Sequence, residues 1–246
     1  MFSGLKNHPF AVEAWFDFSL VLTFAVPKKA IAHLVPEHLT ADCLHDQWAF
    51  MAVALVQTKD LRPKGFPRFS GQDFFLIGYR IFVRYTNQQG RRLRGLYILK
   101  SETDKKQMEW LGNAFTHYGY TTIDIHVRDS KEKISVESKL SGLSITVNCA
   151  DADISLPTGS PFIDWKEARK FAGPLPFTFT YNKSQSEMLI VEGVREHWTP
   201  SPVKVLDFNI PFLQQPEFKD ARQANAFIVR NIPYSWKKGR KEKWKI

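Results

Sequence analysis

Ala14–Val26 reads AWFDFSLVLTFAV, a long apolar run rich in aromatic and β-branched residues. A run of this composition that stops at Pro27 predicts a β-strand. Gln47–Thr58 (QWAFMAVALVQT) is apolar on both of its alternating faces, which is typical of a strand buried on both sides. Asp73–Tyr85 and Leu93–Lys100 flank a short polar turn and predict a hairpin. The first hundred residues therefore favour a sheet of long strands.

Shorter elements follow along the chain. Further strands are predicted at Thr121–Val127, Lys133–Lys139, Leu143–Cys149, Phe177–Tyr181, Met188–Val194 and Val203–Phe208. Helices are predicted after Pro27, at Ser101–Phe115 with Thr103 as a capping residue, and at Pro161–Phe171 with Ser160 as the N-cap. Strands outnumber helices and come mainly as consecutive hairpins, which favours an α+β, mainly antiparallel sheet or barrel carrying a few helices. We expect one domain over 1–235 and a basic C-terminal tail at 236–246.

The composition excludes several classes of protein. Hydrophobic residues make up 43% of the 246 residues, enough for a sizeable core. No apolar run approaches the ~18 residues that a membrane-spanning helix needs, and no apolar signal region is visible at the N-terminus. Cys43 and Cys149 lack the spacing of a metal or redox motif, and no standard nucleotide, hydrolase or zinc motif occurs. We therefore expect a cytoplasmic protein without a metal or cofactor.

Positive charge is concentrated near the C-terminus. The formal net charge is +9; Trp236–Ile246 holds six basic residues against Glu242 and contributes +5, which leaves +4 for the rest. This segment is interpreted either as a solvated terminus or as a contact for nucleic acid or an anionic surface. A second basic cluster at Arg91, Arg92 and Arg94 follows a turn, and neither cluster lies in a recognisable nucleic-acid motif.

The strand Gly78–Tyr85 (GYRIFVRY) offers a candidate ligand site. Because strand side chains alternate, Arg80, Phe82 and Arg84 share one face. Inside a barrel, two guanidiniums flanking an aromatic ring would bind a carboxylate or phosphate bidentately. Outside a barrel they would form a solvated face, which the spacing alone slightly favours.

Two other stretches carry chemistry-bearing side chains. In Thr116–Tyr120, His117 and Tyr118 are candidates for a general acid or base, and Tyr120 for a hydroxyl donor. In Arg195–Pro200, His197 and Trp198 could line the mouth of a pocket. The alternatives are an aromatic-rich turn and an ordinary strand end.

The ordered set of these segments resembles the family called domain of unknown function 2071, a relative of acetoacetate decarboxylase. The resemblance is carried by VPKKAIAHLVPEHL, QWAFMAVALVQTKDLRPKGFP, YRIFVRY, EWLGNAFTHYGY and REHWTPSPV, which together span most of the chain. It implies a closed, barrel-like antiparallel sheet with flanking helices and an interior pocket. It also implies that Arg80, Phe82 and Arg84 lie on a pocket strand.

The decarboxylase chemistry is not implied for this chain. The related enzymes use a Schiff-base lysine in the turn after the equivalent helix, where this sequence reads Thr116–Tyr120 and has no lysine. Lys105 and Lys106 lie at the start of that helix, and the expected acidic residue on the earlier strand is missing.

We therefore predict a protein that binds a small anionic, partly apolar ligand, with an acid or base role for His117 or Tyr118 if it is an enzyme. The ligand-binding set is predicted to be Arg80, Arg84, Phe82, Tyr120, His197 and Trp198. The alternative is a non-catalytic interaction protein that contacts nucleic acid or an anionic surface through the basic tail.

Overall fold

The computed structural model describes residues 5–150, 154–172 and 175–244. The strands are β1 (Val12–Pro27), β2 (Leu39–Ala41), β3 (Trp48–Pro63), β4 (Gln72–Thr86), β5 (Arg92–Thr103), β6 (Tyr120–Thr122), β7 (His126–Asp129), β8 (Lys133–Glu137), β9 (Ser144–Asn148), β10 (Phe177–Asn182), β11 (Glu187–Arg195), β12 (Ser201–Pro202), β13 (Lys204–Asn209), β14 (Arg222–Trp236) and β15 (Arg240–Lys243). The helices are α1 (Lys28–Ile31), α2 (Lys106–Phe115) and α3 (Trp165–Ala172). Short 3-10 turns lie at Ala32–Leu34, Arg68–Ser70, Lys183–Gln185, Pro211–Gln214 and Pro216–Phe218. The predicted fold class, α+β and mainly antiparallel, is confirmed.

The larger sheet closes on itself. Its strand order runs β14-β1-β3-β4-β5-β10-β11, and β11 pairs again with β14, so seven strands form a ring. Six of the seven pairings are antiparallel, and β5 with β10 is parallel. Strands β7, β8, β9 and β13 form a separate four-stranded sheet.

The two faces of the ring have different neighbours. On β4, Ile77, Tyr79 and Ile81 point outward and share one apolar cluster with residues of the four-stranded sheet, including Ile134 and Val147. The alternate residues of β4 point inward, because side chains alternate along a strand. The four-stranded sheet therefore covers the outside of the ring at this position.

Helix α3 covers one end of the inner face. The ring of Phe50 on β3 stacks on that of Phe162 at 5.0 Å and lies 5.2 Å from that of Phe171 on α3. Burial of this aromatic group fixes the helix against the sheet.

The helix starts differ from the sequence predictions. Ser101–Thr103 continue β5, because they pair with both β4 and β6, so α2 begins only at Lys106. Helix α3 begins at Trp165 rather than Pro161, and the carboxylate of Asp164 accepts the backbone N–H of Glu167 at 2.7 Å.

The C-terminal region forms strands that were not predicted. Strand β14 pairs with β1 along its length, although Pro233 interrupts its sequence pattern. Part of the basic segment after Trp236 forms β15, which pairs with β11. There the buried Glu242 accepts a hydrogen bond from the hydroxyl of Tyr85 at 2.7 Å. The described part of this segment is therefore held by the sheet and is not a free terminus.

Candidate functional site

Arg80 lies in the middle of β4 on the inner face of the ring. It pairs with Ala52 of β3 and Ile98 of β5. Its guanidinium folds back over Gly78, where an added Cβ would lie 2.8 Å from both Nε and Nη2. Gly78 therefore provides the space in which the guanidinium rests.

The guanidinium of Arg80 has tyrosines around it and no counter-ion in the part of the chain that the structure describes. It interacts electrostatically with Tyr118, Tyr120 and Tyr234. Within the described ranges it makes no ion pair or hydrogen bond, and its Nε is buried without a partner. Burial lowers the pKa of Arg80, but an arginine stays protonated in proteins. The result is an uncompensated positive charge inside the ring.

Tyr118 enters the ring from the turn after α2 and Tyr120 from the first position of β6, and both are buried. The turn is fixed by Thr116, whose hydroxyl donates to the Gly112 carbonyl at 2.8 Å and accepts the Tyr118 N–H at 3.2 Å. Burial raises the pKa of Tyr118 well above its ordinary value and that of Tyr120 to about 12. Both hydroxyls are therefore neutral hydrogen-bond donors near neutral pH.

A second arginine approaches one of these tyrosines, Tyr234, from the other side of the ring. Arg195 on β11 pairs with Tyr234 on β14, and its Nη1 donates to the Tyr234 hydroxyl at 3.4 Å. Its guanidinium lies 4.6 Å from the ring of Trp198, and its buried Nη2 has no partner among the described residues. Burial lowers the pKa of Arg195, as does the nearby charge of Arg80. The two arginines therefore belong to one electrostatic cluster.

The sequence around both arginines repeats one pattern. Arg80 follows Gly78 by two residues, and Arg195 follows Gly193 by two residues. A Cβ on Gly193 would lie 2.1 Å from the Tyr234 hydroxyl. In both strands the glycine has no Cβ, so a polar side chain of the cluster can lie against the backbone.

Arg84 and Phe82 have other roles in the structure. Arg84 is half exposed and binds the fully buried carboxylate of Asp42, with Nη2 2.5 Å from Oδ1. Arg94 binds the other oxygen of Asp42 at 2.5 Å. Phe82 is buried against Phe50 at 6.0 Å, under α3. The structure thus separates Arg84 and Phe82 from Arg80, although all three alternate onto one face.

The two predicted histidines lie on the surface. His197 is exposed, and His117 is exposed next to Asn7, with Nε2 3.4 Å from the asparagine Oδ1. The buried histidine of this region is His8, whose ring lies 5.4 Å from that of Tyr118. Burial and the neighbouring His117 lower the pKa of His8 to about 4.

Of the residues singled out from the sequence, the structure brings together Arg80, Tyr118, Tyr120 and Trp198. Sequence reasoning missed Arg195 and Tyr234. The glycine two residues before Arg195 is the one local signal that would have pointed to it.

A surface cavity of about 340 Å³ leads towards this cluster. Its walls include Arg195, Tyr234 and Ala14, together with a charged rim that contains the Arg62–Glu13 ion pair. Arg195 and Tyr234 belong to both the cavity wall and the interior cluster, so the cluster borders solvent on this side.

Fold and cluster together define an α+β protein whose ring of strands encloses two arginines and three tyrosines. The chain belongs to the family of uncharacterised conserved proteins called domain of unknown function 2071, which it matches over residues 13–233. The resemblance seen in the sequence is thereby confirmed. No curated protein matches the sequence significantly. Within the described ranges, no helix is both long and apolar enough to cross a membrane.

Solved structures with the same fold are distant in sequence. Acetoacetate decarboxylase from Legionella pneumophila superposes with a TM-score of 0.63 at 8% identity, covering 94% of this chain and 86% of the other. The enduracididine biosynthesis enzyme MppR, complexed with pyruvate, gives 0.53 at 10% identity, covering 95% and 88%. An acetoacetate decarboxylase-like enzyme from Sphingomonas wittichii gives 0.52 at 11% identity, covering 95% and 90%. At these identities the likeness concerns the fold alone.

Proposed function

We propose that this protein binds a small anionic, partly apolar ligand inside the ring, with Arg80 as the charge anchor. The observation that carries the proposal is a guanidinium inside the ring, with its Nε buried, that lacks both an ion pair and a hydrogen bond within the described ranges. A buried charge without a partner is costly, so a protein keeps one mainly where a ligand supplies the opposite charge. A carboxylate fits the planar fork of arginine.

The surroundings of Arg80 favour a partly apolar ligand. Ile98 lies beside it on β5, and Leu76 lies on the same face of β4. Farther round the ring, Phe16 stacks on Tyr234 at 4.8 Å. Binding sites for small molecules typically combine such apolar walls with a few polar groups that fix orientation.

Tyr118 is the residue to which we assign hydrogen-bond donation, and proton donation if a reaction occurs. Its neutral hydroxyl interacts electrostatically with Arg80, so it can donate to an oxygen of an anion held there. His117 points elsewhere and is not part of this proposal. The turn Thr116–Tyr120 contains no lysine, so the proposal includes no imine chemistry.

The neighbours in fold space are consistent with a small oxo acid as ligand. MppR holds pyruvate in one of its structures, which makes pyruvate a reasonable first probe. The proposal that this chain binds such an anion rests on the charge of Arg80.

The test is isothermal titration calorimetry with pyruvate and a panel of small carboxylates, on wild type and Arg80→Met. We expect a carboxylate to bind the wild type and to lose about 10- to 150-fold in affinity in the variant, the range for a charge-assisted hydrogen bond. Arg92→Met is the matched control, since Arg92 is exposed on β5. Equal affinities for wild type and Arg80→Met, or no binding by any carboxylate, would contradict the proposal.

A further inference from the structure

Among the described residues, neither arginine of the interior cluster has an acidic partner. Arg195 touches Trp198 and Tyr234, and Arg80 interacts with three tyrosines. The buried carboxylates of the described chain are engaged elsewhere. Asp42 binds Arg84 and Arg94, Glu102 binds Lys100, Glu187 binds Lys241, and Glu242 binds Tyr85.

The two guanidiniums carry like charges, and each has a buried nitrogen without a partner among the described residues: Nε of Arg80 and Nη2 of Arg195. Like charges repel more strongly in a protein interior than in water. A single negative charge would therefore leave one of the two guanidiniums uncompensated.

The arginines reach the cluster from separate strands. Along the wall, β5 and β10 stand between β4 and β11, so the two backbones are three strand spacings apart, roughly 14 Å. The side chains converge inside the ring, because Tyr234 interacts with both of them. A ligand that meets both guanidiniums would need two anionic groups, or one group with two charges.

We infer that the ligand is a small dianion, with its two negative charges compensated by Arg80 and Arg195. This inference rests on the proposed function and names the class of ligand more closely. Tyr234 then donates its hydroxyl between the two sites, and the ring of Trp198 stays in cation–π contact with the Arg195 guanidinium, 4.6 Å away. A short dicarboxylate provides two separate groups, whereas a phosphate provides two charges on one group.

The test compares three probes by calorimetry: glutarate, the monocarboxylate valerate of the same chain length, and inorganic phosphate. In the wild type, glutarate should bind at least tenfold more tightly than valerate. Arg195→Gln should lower the affinity for glutarate at least tenfold and the affinity for valerate less than threefold. Arg80→Gln should lower the affinity for both. Tighter binding of phosphate than of glutarate would support the dianion and assign both charges to one phosphate group.

Two controls separate charge from structure. Arg195→Lys keeps the positive charge and should retain most of the preference for glutarate, while Arg92→Gln on the surface should match wild type. Equal affinity for glutarate and valerate in the wild type, together with Arg80-dependent binding of both, would overturn the dianion and leave the proposed function standing. Failure of all carboxylates to depend on Arg80 would overturn the proposed function itself.

Discussion

Arg80→Met should make the ligand-free protein more stable, although it removes a residue at the centre of the candidate site. Methionine fills a similar elongated volume and leaves no charge inside the ring. Replacing a buried ionic group by an apolar one often stabilises a protein by about 1–4 kcal/mol. The side chain of Arg80 is partly accessible within the ring, so we take about 2 kcal/mol as the gain. For a chain of this length that raises the melting temperature by about 4–8 °C.

Arg84→Met is the matched comparison, because Arg84 lies four residues along the same face of the same strand. Here the substitution removes one of the two guanidiniums that hold the enclosed Asp42 carboxylate. Arg94 remains, and Arg84 is half exposed, so we expect a loss of about 2 kcal/mol rather than the larger cost of a fully buried pair. The melting temperature should fall.

The assay is differential scanning calorimetry of the two variants and wild type without added carboxylates. A higher melting temperature for Arg80→Met and a lower one for Arg84→Met would support an unpaired Arg80. A fall for Arg80→Met as large as that for Arg84→Met would refute the reasoning, since it would mean that Arg80 has a stabilising partner.

Three further predictions follow from other contacts. Gly78→Ala should weaken carboxylate binding about tenfold in calorimetry, because its Cβ would displace the Arg80 guanidinium; unchanged affinity would count against that placement. Tyr85→Phe should lower the free energy of unfolding in urea by about 1–3 kcal/mol, because the buried Glu242 loses a hydrogen bond; a shift below 0.5 kcal/mol would contradict this. His8 has a folded pKa of about 4, below an unfolded value near 6.5, so the unfolded chain binds more protons between these values. Stability should therefore fall as the pH drops from about 6.5 to 4, by at most about 1.4 kcal/mol per unit from this group, and His8→Phe should flatten the slope measured in urea at several pH values.

The long strands were predictable because their signal is local. Composition and alternation in Ala14–Val26 and Asp73–Tyr85 indicate strands without reference to any partner. Strand β14 was missed because Pro233 breaks its pattern, and its pairing with β1 joins residues some 200 positions apart. The pairing of β11 with β14 that closes the ring is likewise non-local. Only the family resemblance could predict it.

The candidate site was predictable only in part, because alternation places a side chain on a face without naming its partner. Arg80 and Arg84 look alike in sequence, and Asp42, 42 residues before Arg84, decides their different surroundings. Arg195 was passed over in favour of His197, whose imidazole suggested chemistry. The backbone of His197 has a positive φ of 55°, and the side chain of His197 is exposed.

The closure of the ring has a mechanical consequence. Strands β14 and β1 are joined by thirteen residue pairs, but β14 and β11 by only three, which include Gly193 with Trp236 and Arg195 with Tyr234. Strands β5 and β10 are likewise joined by only three pairs. Backbone amides at these two short junctions should therefore exchange with deuterium earlier than those of β1. The junction of β11 with β14 also carries one of the two arginines, so an anion bridging Arg195 to Arg80 on the opposite wall would strengthen one of the two shortest junctions of the ring.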